Sequence, residues 1–266
     1  MLQLTIAIST ISNRIESLNL LPIEKIQYVI VHQEPDHASD EFVKSLVTRP
    51  DVIYVPLVEK GLSVSRNAAI ANSTGDYVLI MDDDVEFSIE AIYELVEKIK
   101  QDADIDIITY YHKYTNGKTT LKNKTAYIHN LFNIANPSSI DLCFKRHSIL
   151  NFKIKFDEDF GLGAIYPSGE EMIFLADCLK SGLKAKRYPI EICTHPPITS
   201  GDDFFTTKQK TMAKAAMFNR VYNEIGPFLY ILFVIKKWPI AWRAGYGKDF
   251  IYNALSSLIE DKPRTS

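Results

Sequence analysis

The stretch from Tyr77 to Glu86, Y-V-L-I-M-D-D-D-V-E, constrains the fold more than any other. Its apolar run shows no polar alternation, which is typical of a strand buried on both faces, as in a parallel sheet between helices. Three carboxylates follow at once, Asp82, Asp83 and Asp84. They need a positive neutraliser because unpaired buried charge is costly, and a divalent cation with oxygen ligands is the simplest one. Taken alone, the stretch also fits an acidic loop that caps the next helix.

The elements around this stretch indicate the fold class. Alternating apolar residues predict a strand at the N-terminus, and apolar runs predict strands at 26–31 and 52–57. Ser39 and Ser88 are predicted N-caps of helices. Strands and helices therefore alternate, and we predict an α/β protein with a Rossmann-like, mostly parallel sheet flanked by helices. Ligands of such sheets bind at the carboxyl ends of the strands, where the three aspartates lie.

Residues 61–75, G-L-S-V-S-R-N-A-A-I-A-N-S-T-G, predict a second part of the site. Gly61 allows a tight turn, and Ser63 is a predicted cap for a helix that carries Arg66 and Asn67 in its first turns. Helix N-terminal amides together with an arginine bind anions. A surface arginine beside a local turn former is the alternative.

Three later residues complete the set of candidates. Glu170 and Glu171 lie in the first turn of a predicted helix, where the helix dipole already favours one acid without any function. Adjacent helical residues point about 100° apart, so at least one of the two can face a cleft. His195 precedes two prolines. It is either a structural loop residue or, because a divalent cation is already expected, one of its ligands.

Composition and charge exclude several classes. The formal net charge of -3 argues against a nucleic-acid partner. Cys143, Cys178 and Cys193 form no CxxC pair and predict reduced, buried thiols in a cytosolic protein. The alternating N-terminus predicts a strand rather than a signal peptide, and no apolar run approaches the roughly 18 residues needed to span a bilayer.

The C-terminal part differs in charge from the rest of the chain. Residues 206–248 contain eight Lys or Arg and one acid, Glu224. Within them lies the apolar run F-L-Y-I-L-F-V-I at 228–235, followed by two lysines and Trp238. Residues 226–248 therefore predict either a helix packed on the core or a peripheral contact with a membrane surface. The expected location is the cytoplasm or the inner face of the cell membrane.

Taken in order, these motifs resemble family 2 glycosyltransferases, which have the GT-A fold. G-L-S-V-S-R-N-A-A-I-A followed by G-D-Y-V-L-I-M-D-D-D-V is similar to their nucleotide-sugar half, F-G-L-G-A-I-Y-P-S-G-E-E-M-I-F-L to their acceptor half, and H-P-P-I-T-S-G to a late metal-ligand loop. Bacterial members that extend cell-surface polysaccharides are the most similar. The resemblance implies a GT-A domain over 1–205, with a nucleotide-sugar-binding half (1–111) and an acceptor-binding half (112–205), and a helical extension over 206–266.

The resemblance also implies an activity and a cofactor. The activity is an inverting transfer of a sugar from a nucleoside diphosphate sugar, expected to be a UDP-sugar, to a saccharide or lipid-linked saccharide. The cofactor is Mn²⁺ or Mg²⁺. Asp82 to Asp84 would be the DxD motif, with Asp82 near the ribose and diphosphate and close to the metal. Asp84 would bind the metal, and His195 would complete the metal shell. Asp83, the less constrained middle position, would lie among the residues that bind the nucleotide sugar.

The remaining roles follow from the same match. Arg66 and Asn67 would contact the nucleotide, and the loop around Ser9 would line the base pocket. Glu171 would be the general base and Glu170 would contact the acceptor. Many relatives have Glu-Asp at this pair, so the second carboxylate here lies about one methylene further from the backbone. Two alternatives are a nucleotidyltransferase acting on sugar phosphates and a non-catalytic nucleotide-sugar-binding protein.

Overall fold

The computed structural model describes residues 3–197 and 203–260. The strands are β1 (Leu4–Ile11), β2 (Ile26–Gln33), β3 (Val52–Leu57), β4 (Tyr77–Asp82), β5 (Glu86–Phe87), β6 (Ile107–Tyr114), β7 (Tyr127–Ile128), β8 (Leu142–Lys145) and β9 (Ala185–His195). The helices are α1 (Asp40–Val47), α2 (Leu62–Asn72), α3 (Ile89–Gln101), α4 (Arg146–Asn151), α5 (Glu170–Lys180), α6 (Lys208–Tyr222), α7 (Gly226–Arg243) and α8 (Gly247–Glu260).

One nine-stranded sheet organises the fold, in the order β3-β2-β1-β4-β8-β6-β9-β5, with β7 paired to β9. The first four strands in this order are parallel. β8 runs antiparallel between β4 and β6, and β6 is parallel to β9. The register sets Ser9 of β1 beside Asp82 of β4, so the carboxyl ends of both strands meet at one edge.

β4 is buried on both faces, as its apolar run predicts. Val78 and Ile80 belong to a core cluster that includes residues of α2 and α5, whereas Leu79 and Met81 belong to a second cluster that includes residues of α3. The period-2 alternation of strand side chains thus fills the core on both faces of the sheet. This burial fixes where β4 ends and the three aspartates begin.

Two local predictions are wrong. The expected loop around Ser9 is instead the end of strand β1, which runs to Ile11 and is followed by a 3-10 helix over Ser12–Ser17. Helix α2 begins at Leu62 after Gly61, whose φ of 132° suits glycine, so Ser63 is not the cap. Strand β9 includes Pro189, at a point where its pairing with β6 is irregular and no N–H is needed.

Other local predictions are confirmed. Ser39 and Ser88 accept hydrogen bonds from the backbone amides of Phe42 and Ala91 at the starts of α1 and α3. The three cysteines are free and buried, and the compartment they suggested stays a prediction. Parts of the predicted H-P-P-I-T-S-G segment and of the C-terminal tail lie outside the described residues.

The C-terminal helices form a small core of their own. α6 contacts α5 on one side and α7 and α8 on the other. Phe204, Phe205, Tyr230 and Phe250 are buried together between these helices. The predicted basic helix is α6, and the apolar run 228–235 lies within α7. The proposed boundary near residue 205 stays a prediction.

Candidate active site

The three aspartates follow β4, and Asp83 is the most firmly held of them. Its carboxylate accepts a hydrogen bond of 2.8 Å from Thr10 Oγ1 and pairs with the guanidinium of Arg14. Burial raises the pKa of Asp83, and these two partners oppose that shift. The carboxyl end of β1 thus holds Asp83 in place, and the role of this middle position in nucleotide binding stays a prediction.

Arg14 supplies a positive charge next to the three aspartates, where the sequence led us to expect one. It lies in the 3-10 helix after β1, and its Nη2 is 3.1 Å from Asp84 Oδ2 in addition to its pair with Asp83. Half of the Arg14 side chain is exposed, so the guanidinium can leave without disturbing the core. The chain thus carries its own counter-ion at this edge, and a metal cation would compete with it.

Asp84 and His195 meet across the sheet, as predicted from the sequence. His195 Nε2 lies 3.4 Å from Asp84 Oδ1, and the His195 Nδ1 is 2.5 Å from the carbonyl oxygen of Pro196. A carbonyl only accepts, so Nδ1 carries a proton and Nε2 is the ring nitrogen that could bind a cation beside Asp84. Two ligand atoms that share a cation at about 2.1 Å lie roughly 3 Å apart, so this pair fits a hard divalent cation.

The cation would need further ligands from elsewhere. No group of three His, Cys, Asp or Glu in the described ranges is arranged to hold a metal ion. Mg²⁺-type sites commonly use one or two protein ligands and fill the remaining positions with phosphate oxygens and water. Asp82 accepts a hydrogen bond from Arg66, and its assignment to the metal and the ribose stays a prediction. The residues present therefore fit a cation that binds together with a diphosphate.

Arg66 joins the aspartates to the acids of α5. Its side chain is only 1% exposed, so the alternative of a surface arginine is wrong. Nη2 donates to Asp82 Oδ1 at 3.2 Å and to Ser139 Oγ at 2.6 Å, and Nη1 donates to Glu170 Oε1 at 3.0 Å. Its predicted contact with the nucleotide stays a prediction.

Glu170 and Glu171 have different environments, although they are adjacent. Glu170 is buried against Arg66. Glu171 is partly exposed, and its pKa is raised to about 7 because burial and the neighbouring Glu170 charge disfavour its ionised form more than Arg66 favours it. A carboxyl that titrates near neutral pH suits a general base. The roles of Glu171 as the base and of Glu170 in the acceptor contact both stay predictions.

A glycine loop closes over the start of α2 and ties the two halves of the site together. Leu62 donates its backbone N–H to the carbonyl of Leu162, and Ser63 Oγ donates to the carbonyl of Phe160. Gly161 has a φ of 105°, and a Cβ there would lie 3.3 Å from Glu170 Cδ. The loop thus packs closely against Glu170, and a side chain at Gly161 would crowd that carboxyl and strain the backbone.

Two predicted nucleotide contacts have structural partners. Asn67 uses both ends of its amide on Phe156, accepting from the backbone N–H at 2.8 Å and donating to the carbonyl at 2.9 Å. Ser9 is buried in β1, where it accepts a hydrogen bond of 2.8 Å from Ser65 Oγ. Neither arrangement tests a contact with a nucleotide, so both assignments stay predictions.

A buried polar cluster behind His195 was missed from the sequence. His112 Nδ1 is 2.8 Å from Asp141 Oδ1, and Asp141 Oδ2 is 3.4 Å from Arg187 Nη2. The rings of His112 and His195 lie 6.1 Å apart between centroids.

Three further residues of the site, Thr10, Arg14 and Ser139, were also not predicted from the sequence. A hydroxyl at the end of β1 and an arginine shortly after it are a usable signal, because that segment ends at the same sheet edge as the aspartates.

The fold and the site define an α/β protein with a cluster of aspartates at the carboxyl ends of its parallel strands, where Asp84 lies close to His195. The model of glycosyl transferase family 2 matches residues 7–168, more than half of the chain. The chain therefore belongs to glycosyl transferase family 2. The family predicted from the motifs is confirmed.

Relatives and solved structures agree with this assignment. Poly-beta-1,6-N-acetyl-D-glucosamine synthases of Staphylococcus aureus strains COL and MSSA476 are 25% identical over 142 residues, which cover 53% of this chain and 32% of each relative. The chain thus spans about a third of the length of these curated relatives. The crystal structure of S. aureus TarS 1-349 superposes with a TM-score of 0.63 at 16% identity and covers 98% of this chain and 81% of that one. Its complex with UDP-GlcNAc gives a TM-score of 0.61 at 14% identity, over 98% and 93%. The predicted α/β GT-A fold with C-terminal helices is confirmed.

Proposed function

We propose that the protein is an inverting, metal-dependent glycosyltransferase. It would move a sugar from a UDP-sugar to a hydroxyl group of a saccharide or lipid-linked saccharide during surface polysaccharide synthesis. The observation that carries the proposal is the single site in which Arg66 joins Asp82 to Glu170, next to a carboxyl with a raised pKa at Glu171. UDP-GlcNAc is the first donor to test, because the relatives are named as synthases of an N-acetylglucosamine polymer and TarS was solved in complex with UDP-GlcNAc.

The residues at the end of β4 would hold the donor. Asp84 and His195 are 3.4 Å apart and would bind Mn²⁺ or Mg²⁺ together with the diphosphate oxygens. The cation, when bound, offsets the negative charge that develops on the departing diphosphate. Arg14 would leave Asp83 and Asp84 as the cation binds, and its exposed guanidinium could then pair with a phosphate oxygen.

Glu171 would take the proton of the acceptor hydroxyl as its oxygen attacks the anomeric carbon. A single carboxylate base suffices for a single displacement, which inverts the anomeric configuration. Glu170 would keep its place on Arg66, and its negative charge raises the pKa of Glu171. The base is then strong enough to act and still ionised in part near neutral pH.

Product analysis separates the proposal from its alternatives. The purified protein is incubated with UDP-GlcNAc and other UDP-sugars, Mn²⁺ and saccharide acceptors, and the released phosphates are identified. We expect UDP. Pyrophosphate would indicate a nucleotidyltransferase, and binding without turnover in the presence of acceptors would indicate a binding protein.

A pair of variants assigns the base. Glu171→Gln should bind UDP-GlcNAc normally and lose at least about 100-fold in turnover, in line with the usual contribution of a general base. Glu94→Gln, on the exposed side of α3, is the matched control and should behave as the wild type. Near-normal turnover by Glu171→Gln would move the base to Glu170 or another acid.

A further inference from the structure

α7 is apolar on two opposite sides, and this is the least expected surface of the protein. Its inner side buries Gly226, Tyr230, Val234 and Ala241 against the neighbouring helices. A helix on a protein surface normally presents charged and polar residues on the other side. Here that side is apolar instead, and we define it as the outer stripe: Phe228, Ile231, Leu232, Ile235, Trp238 and Trp242.

The outer stripe is continuous and well exposed. Counted from Phe228, its members lie at i, i+3, i+4, i+7, i+10 and i+14, the spacing that keeps side chains on one side of an α-helix. Phe228 is 62% exposed, Ile235 64% and Trp242 54%. α8 repeats the pattern with exposed Tyr252, Leu255 and Ile259. Isolated exposed apolar residues are ordinary, whereas a run over about four turns marks a surface that contacts something apolar.

The charge of residues 226–248 indicates which kind of apolar partner the outer stripe contacts. Residues 226–248 contain Lys236, Lys237, Arg243 and Lys248 and no acid. A second copy of the chain would bring this positive charge against itself, which opposes association. An anionic bilayer surface attracts the same residues while it accepts the apolar stripe. Tryptophans at positions 238 and 242 suit the boundary between head groups and acyl chains.

The geometry favours a helix that lies on the bilayer rather than one that crosses it. By length and composition, the described helical segment Lys208–Arg243 could span a membrane. However, Lys236 and Lys237 lie past the middle of α7, where a crossing would place them deep in the hydrocarbon. The inner side of α7 is also already packed on α6 and α8.

We infer that the outer stripe of α7 is a membrane-docking surface that inserts into an anionic lipid bilayer. The apolar side chains would enter the region just below the head groups, and Lys236 and Arg243 would stay among the phosphates. The inference does not depend on the proposed reaction, because vesicle binding requires neither donor nor acceptor. An experiment can therefore refute the membrane-docking surface without refuting the proposed reaction, and the reverse.

Vesicle sedimentation with the full chain tests the inference. Vesicles of phosphatidylcholine alone are compared with vesicles that also contain about one third phosphatidylglycerol. The wild type should sediment with the anionic vesicles, and less at high salt. Ile235→Glu combined with Trp242→Glu should lower the partition coefficient by about tenfold or more, since it removes two inserted side chains and adds two repelled charges.

Control variants keep the result specific. Val58→Glu removes an exposed apolar residue that is far from α7 in the sequence and should bind vesicles as the wild type does. Lys236→Gln and Arg243→Gln should each weaken binding about fivefold, the effect of one basic residue near an anionic surface. All substituted residues are exposed, and circular dichroism should show unchanged melting temperatures.

Three results would overturn the inference. The first is a wild type that stays in the supernatant with anionic vesicles. The second is equal sedimentation of the wild type and the Ile235→Glu, Trp242→Glu variant. The third is a wild-type dimer in analytical ultracentrifugation that Ile235→Glu dissociates, because the stripe would then be an interface between copies of the chain.

Discussion

Replacing Arg66 by methionine should be among the most destabilising single changes in this protein. Arg66 is 1% exposed and donates to Asp82, Ser139 and Glu170, which is itself 5% exposed. The variant keeps most of the side-chain volume but leaves the Glu170 carboxylate buried without its cation. Removing one partner of a buried ion pair costs about 3–5 kcal/mol, and we expect the free energy of unfolding to fall by that amount.

Arg49→Met is the matched control. Arg49 also makes a bidentate pair with an aspartate, Asp51, but the two side chains are 28% and 25% exposed. Water can solvate the remaining partner, so the expected loss is about 1 kcal/mol or less. Both variants are compared with the wild type by urea unfolding followed by circular dichroism.

A double variant shows whether the buried charge is the cause. Glu170→Gln removes the charge that Arg66→Met leaves unpaired, so the two substitutions together should cost at least about 1 kcal/mol less than the sum of the single ones. Equal losses for Arg66→Met and Arg49→Met, or strict additivity in the double variant, would refute the reasoning. Arg66 would then not be the electrostatic link between β4 and α5.

Three further predictions follow from the charges of the site. The folded-state pKa of Glu171, about 7, is above its ordinary value of 4.5, so ionisation of this carboxyl destabilises the fold as pH rises through this window. Glu171→Gln should therefore match the wild type near pH 4 and exceed its unfolding free energy by up to about 3 kcal/mol at pH 8, and an equal difference at both pH values in urea unfolding would contradict this. For the same reason kcat/KM should rise with pH and level off above about 7, and a flat profile between pH 5.5 and 8 would exclude Glu171 as the base. Arg14→Gln should tighten Mn²⁺ binding about threefold in the absence of nucleotide, measured by isothermal titration calorimetry, because the guanidinium no longer competes for Asp83 and Asp84; an unchanged or weaker affinity would mean that Arg14 does not occupy the cation position.

Local sequence patterns predicted the elements that depend on local physics. The apolar run before Asp82 defined a strand buried on both faces, and Ser39 and Ser88 marked helix starts through their own hydroxyl groups. The family motifs also brought Asp84 and His195 to one place, although 111 positions separate them in the sequence.

The remaining features depend on contacts between distant segments. Arg14 meets Asp83 across 69 positions, and the guanidinium of Arg66 meets Glu170 across 104. No periodicity or spacing encodes such pairs, and an arginine next to a helix start is typical of a surface as much as of a buried bridge.

Manganese binding in the presence of UDP shows whether Asp84 and His195 hold a cation together with the diphosphate. Electron paramagnetic resonance measures free Mn²⁺ in mixtures of protein and UDP. We predict that UDP tightens Mn²⁺ binding by the wild type, and that Asp84→Asn and His195→Ala each weaken it at least about tenfold while the exposed-site control Glu94→Gln does not. Binding of Mn²⁺ and UDP by Asp84→Asn and His195→Ala as tight as that of the wild type would contradict it.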